Sequence, residues 1–257
     1  MVTVLNPDWR LMLGSMNAAW RGAACASPDG RVIEREGLIA TVMPVVPERS
    51  VFNSVIYEDA QALEASIDEL AAAYDAAGVV AWTVWVPEHD RASAELVAGK
   101  GHVLDATPAA MVCDPAGVSR PAPGVLDLLP DPSFADVATL NDLAYGYPDQ
   151  PFQRALGDAR AAGAHLYVAR LDGEPAACVV ADDHPGGDCG IYWVATSPKA
   201  RGRGLATALM REALADAHER GRRTSTLQAT KLGQPIYERV GYRSIGTLEM
   251  WERRNPG

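Results

Sequence analysis

The sequence predicts a mixed α/β sheet of the α+β kind, built twice in tandem, and three observations predict it. From residue 125 onward, strand and helix patterns follow the order β-α-α-β-β-β-α-β-α-β. The tail of that series, strand then short helix then glycine then strand, recurs upstream: Gly101-His102 answers Gly241-Tyr242 at an offset of 140 residues. Between the copies, Asp114 to Gly124 carries three prolines and two glycines with no apolar periodicity, the composition of a linker. The expected units are therefore residues 1–116 and 121–257.

The elements follow in order. Ahead of Asp59 none is assigned. Asp59 to Ala77 is a long helical pattern, Val79 to Val86 a strongly apolar strand, Arg91 to Ala98 a short helix and Val103 to Cys113 a strand. In the second unit Val125 to Leu129 is a short strand. Ser133 to Leu143 is a helix with Ala135, Val137, Ala138 and Leu140 on one side, and Phe152 to Ala162 is a second helix. Strands His165–Leu171 and Ala176–Ala181 flank a tight Asp172-Gly173 turn. After a His184-Pro185-Gly186-Gly187 turn comes a strand ending Ile191 to Thr196, broken by Ser197-Pro198. Leu205, Leu209, Ala213, Leu214 and Ala217 then recur at helical spacing down to His218. Thr224 to Ala229 is a strand, Gln234 to Val240 a short helix with Gly241 at its C-terminal cap, and Arg243 to Trp251 a closing strand.

Composition narrows the function. Apolar residues at 48% allow a packed core, and no apolar run approaches the roughly 18 residues of a membrane span. The first residues lack a basic and then apolar leader, so the expectation is a cytoplasmic protein. Cys25, Cys113, Cys178 and Cys189 form no C-x-x-C pair and read as small core residues in a reducing compartment, with no metal expected. A net charge of −10 argues against nucleic acid, and a membrane is not expected as a partner either. The charge is uneven, at −9 through Ser119 and −1 from Arg120 on, which suits two units with different roles.

The most informative stretch is Arg201-Gly202-Arg203-Gly204-Leu205-Ala206, between the strand ending at Thr196 and a helix. Such a turn aims free backbone N–H groups and the positive end of a helix dipole at one point, which is an anion site. A nucleotide-hydrolysing loop would need Lys-Ser or Lys-Thr after the last glycine, and none follows Gly204. A dinucleotide fold would need a third glycine, where Thr207 stands, and more chain than the remaining 50 or so residues. A tight turn that binds nothing stays open on these residues alone.

Val194-Ala195-Thr196 through Ala206 strongly resembles the acetyl-CoA-binding motif of the GNAT N-acetyltransferases, Q/R-x-x-G-x-G/A, filled here by Arg201, Gly204 and Ala206. The resemblance runs over the whole of 121–257 in element order. It includes the tail stretch Pro235 to Tyr242, in which a tyrosine precedes a glycine-aromatic pair by four residues. It implies the acyl-CoA N-acyltransferase fold in two tandem copies, acetyl-CoA as co-substrate, and transfer of its acetyl group to an amine of a small molecule or peptide in a ternary complex. By that resemblance, backbone groups of Gly202, Arg203, Gly204, Leu205, Ala206 and Thr207 hold the pyrophosphate, with added charge from Arg201 and Arg203. Val194, Ala195 and Thr196 pair with the pantetheine arm, and Tyr237 is the general acid toward sulfur. Arg220, Arg222 and Arg223, roughly 27 Å along the helix, read as solvated side chains at its far end.

The base is open. Many members carry a glutamate on the motif strand, and this strand has none. Tyr192, Asp188, Asp182, Asp183, His184 and Asp149 are the candidates, each otherwise an ordinary turn or surface residue. Thr230 stands where many members have asparagine, which puts one pantetheine contact in doubt. The first copy has acidic Tyr57-Glu58-Asp59 where the turn would be, and Val97 in place of Tyr237. It is expected not to bind CoA but to pack beside the active unit and form part of the acceptor pocket. Its acidic face would favour a cationic amine or simply be solvated. Trp82, Trp85, Tyr57 and Phe52 read as core residues. A homodimer is left open, as is a second function: an acyl-CoA-binding sensor or assembly module without catalysis.

Overall fold

The computed structural model describes residues 6–159 and 163–254. Local sequence sets most of the elements. Helix α1 (Pro7–Ala26) starts on Pro7, with the Asn6 side chain accepting from Asp8 N at 3.0 Å, and buries Trp9, Met12, Leu13, Met16 and Trp20 along one side. Strands β1 (Arg31–Arg35), β2 (Leu38–Val42) and β3 (Ser54–Tyr57) follow. Next come α2 (Ala60–Ala76), β4 (Ala81–Pro87), α3 (Arg91–Gly99), β5 (Val103–Ala106) and β6 (Ala109–Cys113). The single strand expected over 103–113 is thus two, parted at Thr107-Pro108, because proline cannot donate to the ladder.

The second half contains β7 (Asp127–Leu128), α4 (Phe134–Tyr145), α5 (Pro151–Leu156), β8 (Ala164–Leu171), β9 (Glu174–Asp183) and β10 (Asp188–Thr196). It ends with α6 (Leu205–Glu219), β11 (Thr224–Ala229), α7 (Gln234–Val240) and β12 (Arg243–Arg254). The helix expected over 152–162 stops at Leu156, with Gly157 as its cap; residues 160–162 lie outside the described ones. The Ser133 cap is a full capping box with Asp136.

The strands form one sheet in the order β1-β2-β3-β4-β12-β6-β11-β10-β9-β8-β7, with β5 beside β12. Among the described residues only β3–β4 and β10–β11 are parallel, one such pair in each half. The halves exchange strands where they meet. β6 inserts between β11 and the start of β12, pairing Ser225 with Cys113 and Ser244 with Met111. The end of β12, from Leu248 to Arg254, runs beside β4 and takes β5 on its other side. The boundary drawn at residues 116 and 121 therefore falls after β6 has already entered the second half's sheet. The intervening segment is pinned rather than loose: Arg120 pairs with Glu212, Asp216 and Glu219 on α6.

Helix α1 lies across this seam. Its Trp9, Met12, Leu13, Met16 and Trp20 share one buried cluster with Ile39, Ile56 and Trp85 of the first half, Leu248 of the shared strand and Tyr192 of the second. Each such large side chain contributes roughly 1.5–3 kcal/mol by burial, so α1 is a principal fastener of the two halves. Polar ties add to it: Ser15 Oγ donates to Asp188 Oδ2 at 2.6 Å, and Arg243 pairs with Asp8 at 2.6 Å. Cys113, Cys178 and Cys189 are buried, whereas Cys25, expected in the core, is exposed because it falls on the outer side of α1.

Candidate functional site

Parallel strands β10 and β11 are paired only from Asp188/Thr224 to Gly190/Thr226, and beyond that they part. A bulge parts them. Opposite β9 the register moves from Tyr192/Val180 to Ala195/Cys178, one residue extra on β10, and Trp193 sits at φ +51°. A bulky residue there is costly and must be held. Buried Asn141 on α4 holds it by donating Nδ2 to the Trp193 carbonyl at 3.1 Å and to Val137 O at 2.9 Å, and Cys178 Sγ approaches the same Trp193 oxygen at 3.3 Å.

A cavity of about 990 Å³ opens between the parted strands. At one end stands the N-terminus of α6. After Thr196 the chain makes a short 3-10 turn over Pro198–Ala200, then passes Gly202 at φ +75° and Gly204 at φ +76°. Both need the left-handed conformation that glycine adopts without strain. Gly204 is the N-cap and offers no side chain, and the first helical bond runs from Ala208 N to Gly204 O. The N–H groups of Leu205, Ala206 and Thr207 thus lack helical partners and face the cavity end.

Of the residues predicted to hold the cofactor, Val194, Ala195, Thr196, Arg201, Gly202, Gly204, Leu205, Ala206 and Thr207 all line this cavity; Arg203 does not. Arg201 was expected to lend its charge to the pyrophosphate, but its guanidinium donates to Ala144 O at 2.6 Å, near the C-terminus of α4. Tyr237, half-buried on α7, lines the cavity with its ring 6.1 Å from that of Tyr242. Burial pushes its hydroxyl well above the usual tyrosine range, which keeps the proton on oxygen. Thr230 also lines the cavity, and its Oγ1 accepts from Gly233 N at 3.2 Å ahead of α7.

The opposite end is built by the first half of the chain. Trp20 of α1, Val51 of the β2–β3 connection and Trp85 of β4 reach it, beside Tyr192 and Trp193. Trp85 is therefore both core and cavity wall, beyond the core role expected of it, while Trp82 stacks on Tyr74 and Phe52 on Trp193 in the interior. Trp20 was not singled out in the sequence. Its signal was the apolar spacing Trp9, Met12, Leu13, Met16, Trp20 behind an Asn-Pro start.

The base candidates separate by environment. Asp149 is ion-paired with Arg49 at 3.0 Å and Arg154 at 3.3 Å and held below the usual carboxylate range, chiefly by the Arg49 hydrogen bond. Arg220 grips Asp183 at 2.8 Å, so that arginine is not simply solvated, and Arg222 donates to His184 O at 3.2 Å. Asp188 is fully buried and takes hydrogen bonds from Ser15 and Thr226, both at 2.6 Å; burial raises its pKa. His184 Nδ1 accepts from Gly186 N at 3.1 Å. Tyr192 Oη is buried without a partner, and burial raises it far above the usual range. Asp182 differs from its neighbours: its carboxyl is pushed up to about 6, first by burial and then by Asp183, and it borders a small cavity shared with Tyr192 and Trp193.

Among the described residues no cluster of three or more His, Cys, Asp or Glu is placed to hold a metal, and no helix is long and apolar enough to cross a membrane.

Residues 162–244 match the family model described as the acetyltransferase (GNAT) domain. No curated protein matches the chain by sequence. Solved structures of similar fold include a GCN5-related N-acetyltransferase from Kribbella flavida, 17% identical, with a TM-score of 0.69 over 95% of this chain and 96% of that one. Another is a GCN5-related N-acetyltransferase from Sphaerobacter thermophilus, 16% identical, TM-score 0.60, covering 98% and 95%. A tandem GNAT protein from the clavulanic acid biosynthesis pathway is 17% identical, with a TM-score of 0.58 over 97% and 95%. At these identities the likeness is one of fold.

Proposed function

We propose that this chain, whose residues 162–244 match the acetyltransferase (GNAT) domain, transfers the acetyl group of acetyl-CoA to a primary amine, both ligands being bound at once. One observation carries this reading. A single cavity joins the uncapped N-terminus of α6 to a separate end walled by the first half of the chain, so donor and acceptor have different places along one path. The pyrophosphate is assigned to the N–H groups after Gly204, and the extended arm to the free side of β10 at Val194–Thr196. Acetyl-CoA supplies an activated thioester.

The chain's residues then have three tasks. The bulge at Trp193 keeps the strands apart so that the reacting groups meet between them. As the C–N bond forms and the C–S bond breaks, the Tyr237 hydroxyl gives its proton to sulfur. Two candidate carboxyls have a raised pKa and no cation holding them; Asp188 is already taken by the Ser15 and Thr226 hydroxyls, so the amine's proton is assigned to Asp182, which borders the small cavity that shares Tyr192 and Trp193 with the main one. We read residues 1–116 and 121–257 as two units, of which only the second holds CoA, in a cytoplasmic protein with neither nucleic acid nor membrane as partner.

A second reading, an acyl-CoA-binding module without catalysis, is favoured by one observation: among the described residues no carboxylate lines the main cavity. Acetyl-CoA binding measured by calorimetry, followed by amine-dependent release of free thiol, separates the two. We expect saturable binding, with thiol released only when an amine is present. Binding without release by any amine would leave only the second reading.

A further inference from the structure

We infer that the acceptor is a primary amine on a flat, apolar, otherwise uncharged body, an arylalkylamine in chemical class, rather than a polyamine, an amino acid or a lysine-bearing peptide. The inference rests on the transferase reading for the amine and on the cavity's own chemistry for the rest.

The acceptor end is walled by Trp20, Val51, Trp85, Tyr192 and Trp193. The rings brace one another: Trp20 meets Trp85 edge-on at 5.9 Å and Tyr192 edge-on at 5.5 Å, and lies tilted beside Trp193 at 5.6 Å. Two of their polar handles are already spent: Trp20 Nε1 donates to Val51 O at 2.8 Å and Trp85 Nε1 to Ser54 Oγ at 3.0 Å. What remains for a ligand is carbon surface, preformed and rigid, suited to another ring.

Charge points the same way. The arginines and lysines lining the cavity are Arg201 and Arg239, both on the cofactor side, and no carboxylate lines it among the described residues. The nearest acidic groups are committed or set apart: Asp188 lies beneath α1 under Ser15 and Thr226, Asp183 is held by Arg220, and Asp182 opens on the separate small cavity. A ring face can meet a single ammonium head, but several cations would each be stripped of water with no counter-charge. An amino acid's carboxylate would likewise meet no cation at the aromatic end.

Two residues lining the cavity carry a buried polar atom without a partner, Gln228 with Nε2, a donor, and Tyr192 with Oη, which can accept from the nitrogen. Tyr192 Oη is buried and without a partner, and it lies over Gly190, whose absent side chain leaves the space: a Cβ there would come within 3 Å of that oxygen. Gly190 is the last residue of β10 paired with β11, so the hydroxyl marks the apex of the fork. An amine N–H donated to this oxygen would put the nitrogen at the fork and leave its apolar body against Trp20 and Trp85.

The test is calorimetric titration of the full chain, saturated with CoA, with 2-phenylethylamine, spermidine and lysine in turn. The expected result is that 2-phenylethylamine binds at least tenfold more tightly than either of the others. Val51→Glu, at a half-buried loop position on that wall, should narrow the advantage over spermidine at least tenfold. Equal or tighter binding of spermidine or lysine, failure of 2-phenylethylamine to bind, or a ranking that a folded Val51→Glu leaves unmoved would each overturn the assignment. The ranking in the unmutated chain decides the matter even if the variant does not fold. Thiol release is read separately: its absence beside selective binding of 2-phenylethylamine would sink the transferase reading and leave the acceptor assignment standing.

Discussion

Helices α2 and α6 occupy matching places, each following the first strand of a parallel pair, yet their N-termini are built for opposite purposes. α6 begins on Gly204, with no side chain over its first N–H groups, and those groups face a cavity. α2 begins on Asp59, whose own carboxylate accepts from Gln61 N at 2.9 Å. The strands ahead of them differ as well. From the last paired residue of β10, Gly190, to the start of α6 there are fourteen residues, 191–204, enough for a bulge, a parted edge and a glycine turn. From the last paired residue of β3, Ile56, to α2 there are three, 57–59. The first half therefore has neither the length to open a fork nor a free helix end, and Trp85, opposite Ile56 in the last β3–β4 pair, walls the other half's cavity instead. An anion site of this type requires a helix end deliberately left unsatisfied, together with chain to spare in front of it.

The largest expected effect comes from making α6 like α2. In Gly204→Glu a carboxylate competes for the N–H groups and repels a pyrophosphate, and acetyl-CoA affinity should fall at least about 100-fold by calorimetry. A Cβ at 204 meets no atom within 4 Å, so steric exclusion is not the cause, and Gly204→Ala isolates the backbone contribution. At φ +76° that control should cost about 1 kcal/mol of stability while retaining most of the binding. Equal loss in both variants would make the conformation, not the charge, the difference between the two helices.

Next come the groups for which the first half has no counterpart. Tyr237→Phe removes the proposed proton donor, at the place where α3 carries buried Val97, and kcat should drop about 100-fold with acetyl-CoA affinity little changed. An unchanged kcat would remove Tyr237 from the chemistry. Asp182→Asn should lower kcat and abolish an acid limb in the pH–rate profile near pH 6, where the unmodified enzyme loses about tenfold per pH unit below the carboxyl's pKa. The stability sign runs the other way. A carboxyl raised in the folded state favours folding while protonated and loses that contribution as pH rises through about 6, so Asp182→Asn should raise Tm at pH 8 and not at pH 4. A variant that lost both activity and Tm at pH 8 would mark Asp182 as structural.

Much of this was legible in the sequence where local patterns decide. The limits of β11 and α7 and the start of α6 coincide with their periodicity and glycine signals, and nine of the ten residues predicted to hold the cofactor line one cavity because they stand in two short runs of the chain. What stayed hidden depends on partners far along the chain. β6 reads as a strand, but nothing in Ala109 to Cys113 says that its neighbours are β11 and β12 rather than β4. The spacing on α1 is helical, yet that it spans a seam and delivers Trp20 to the cavity wall follows only from the strand exchange beneath it. The acidic character of the first half suggested a wall for cations. The wall is instead aromatic, because the acidic residues lie outward on α2 and the surface loops while Trp20, Val51 and Trp85 face in. The carboxylates were equally hard to rank by residue type, since Asp182 and Asp183 are adjacent, and what separates them is that Arg220, Arg222 and His165 gather on Asp183.

The smallest effect sharpens the comparison from the other side. Asp59→Ala strips the cap from α2 and should cost about 1 kcal/mol, a modest fall in Tm, since N-cap carboxylates contribute on that scale. It should not create a second CoA site, because only residues 57–59 separate the last β3–β4 pair from α2, and at that end Tyr57 Oη donates to Asp90 Oδ2 at 2.8 Å. Calorimetry of Asp59→Ala should still give one acetyl-CoA per chain with unchanged affinity. A second equivalent bound would mean that the cap alone separates the two helices, and that the fourteen residues ahead of α6 matter less for the cradle than for the reaction beside it.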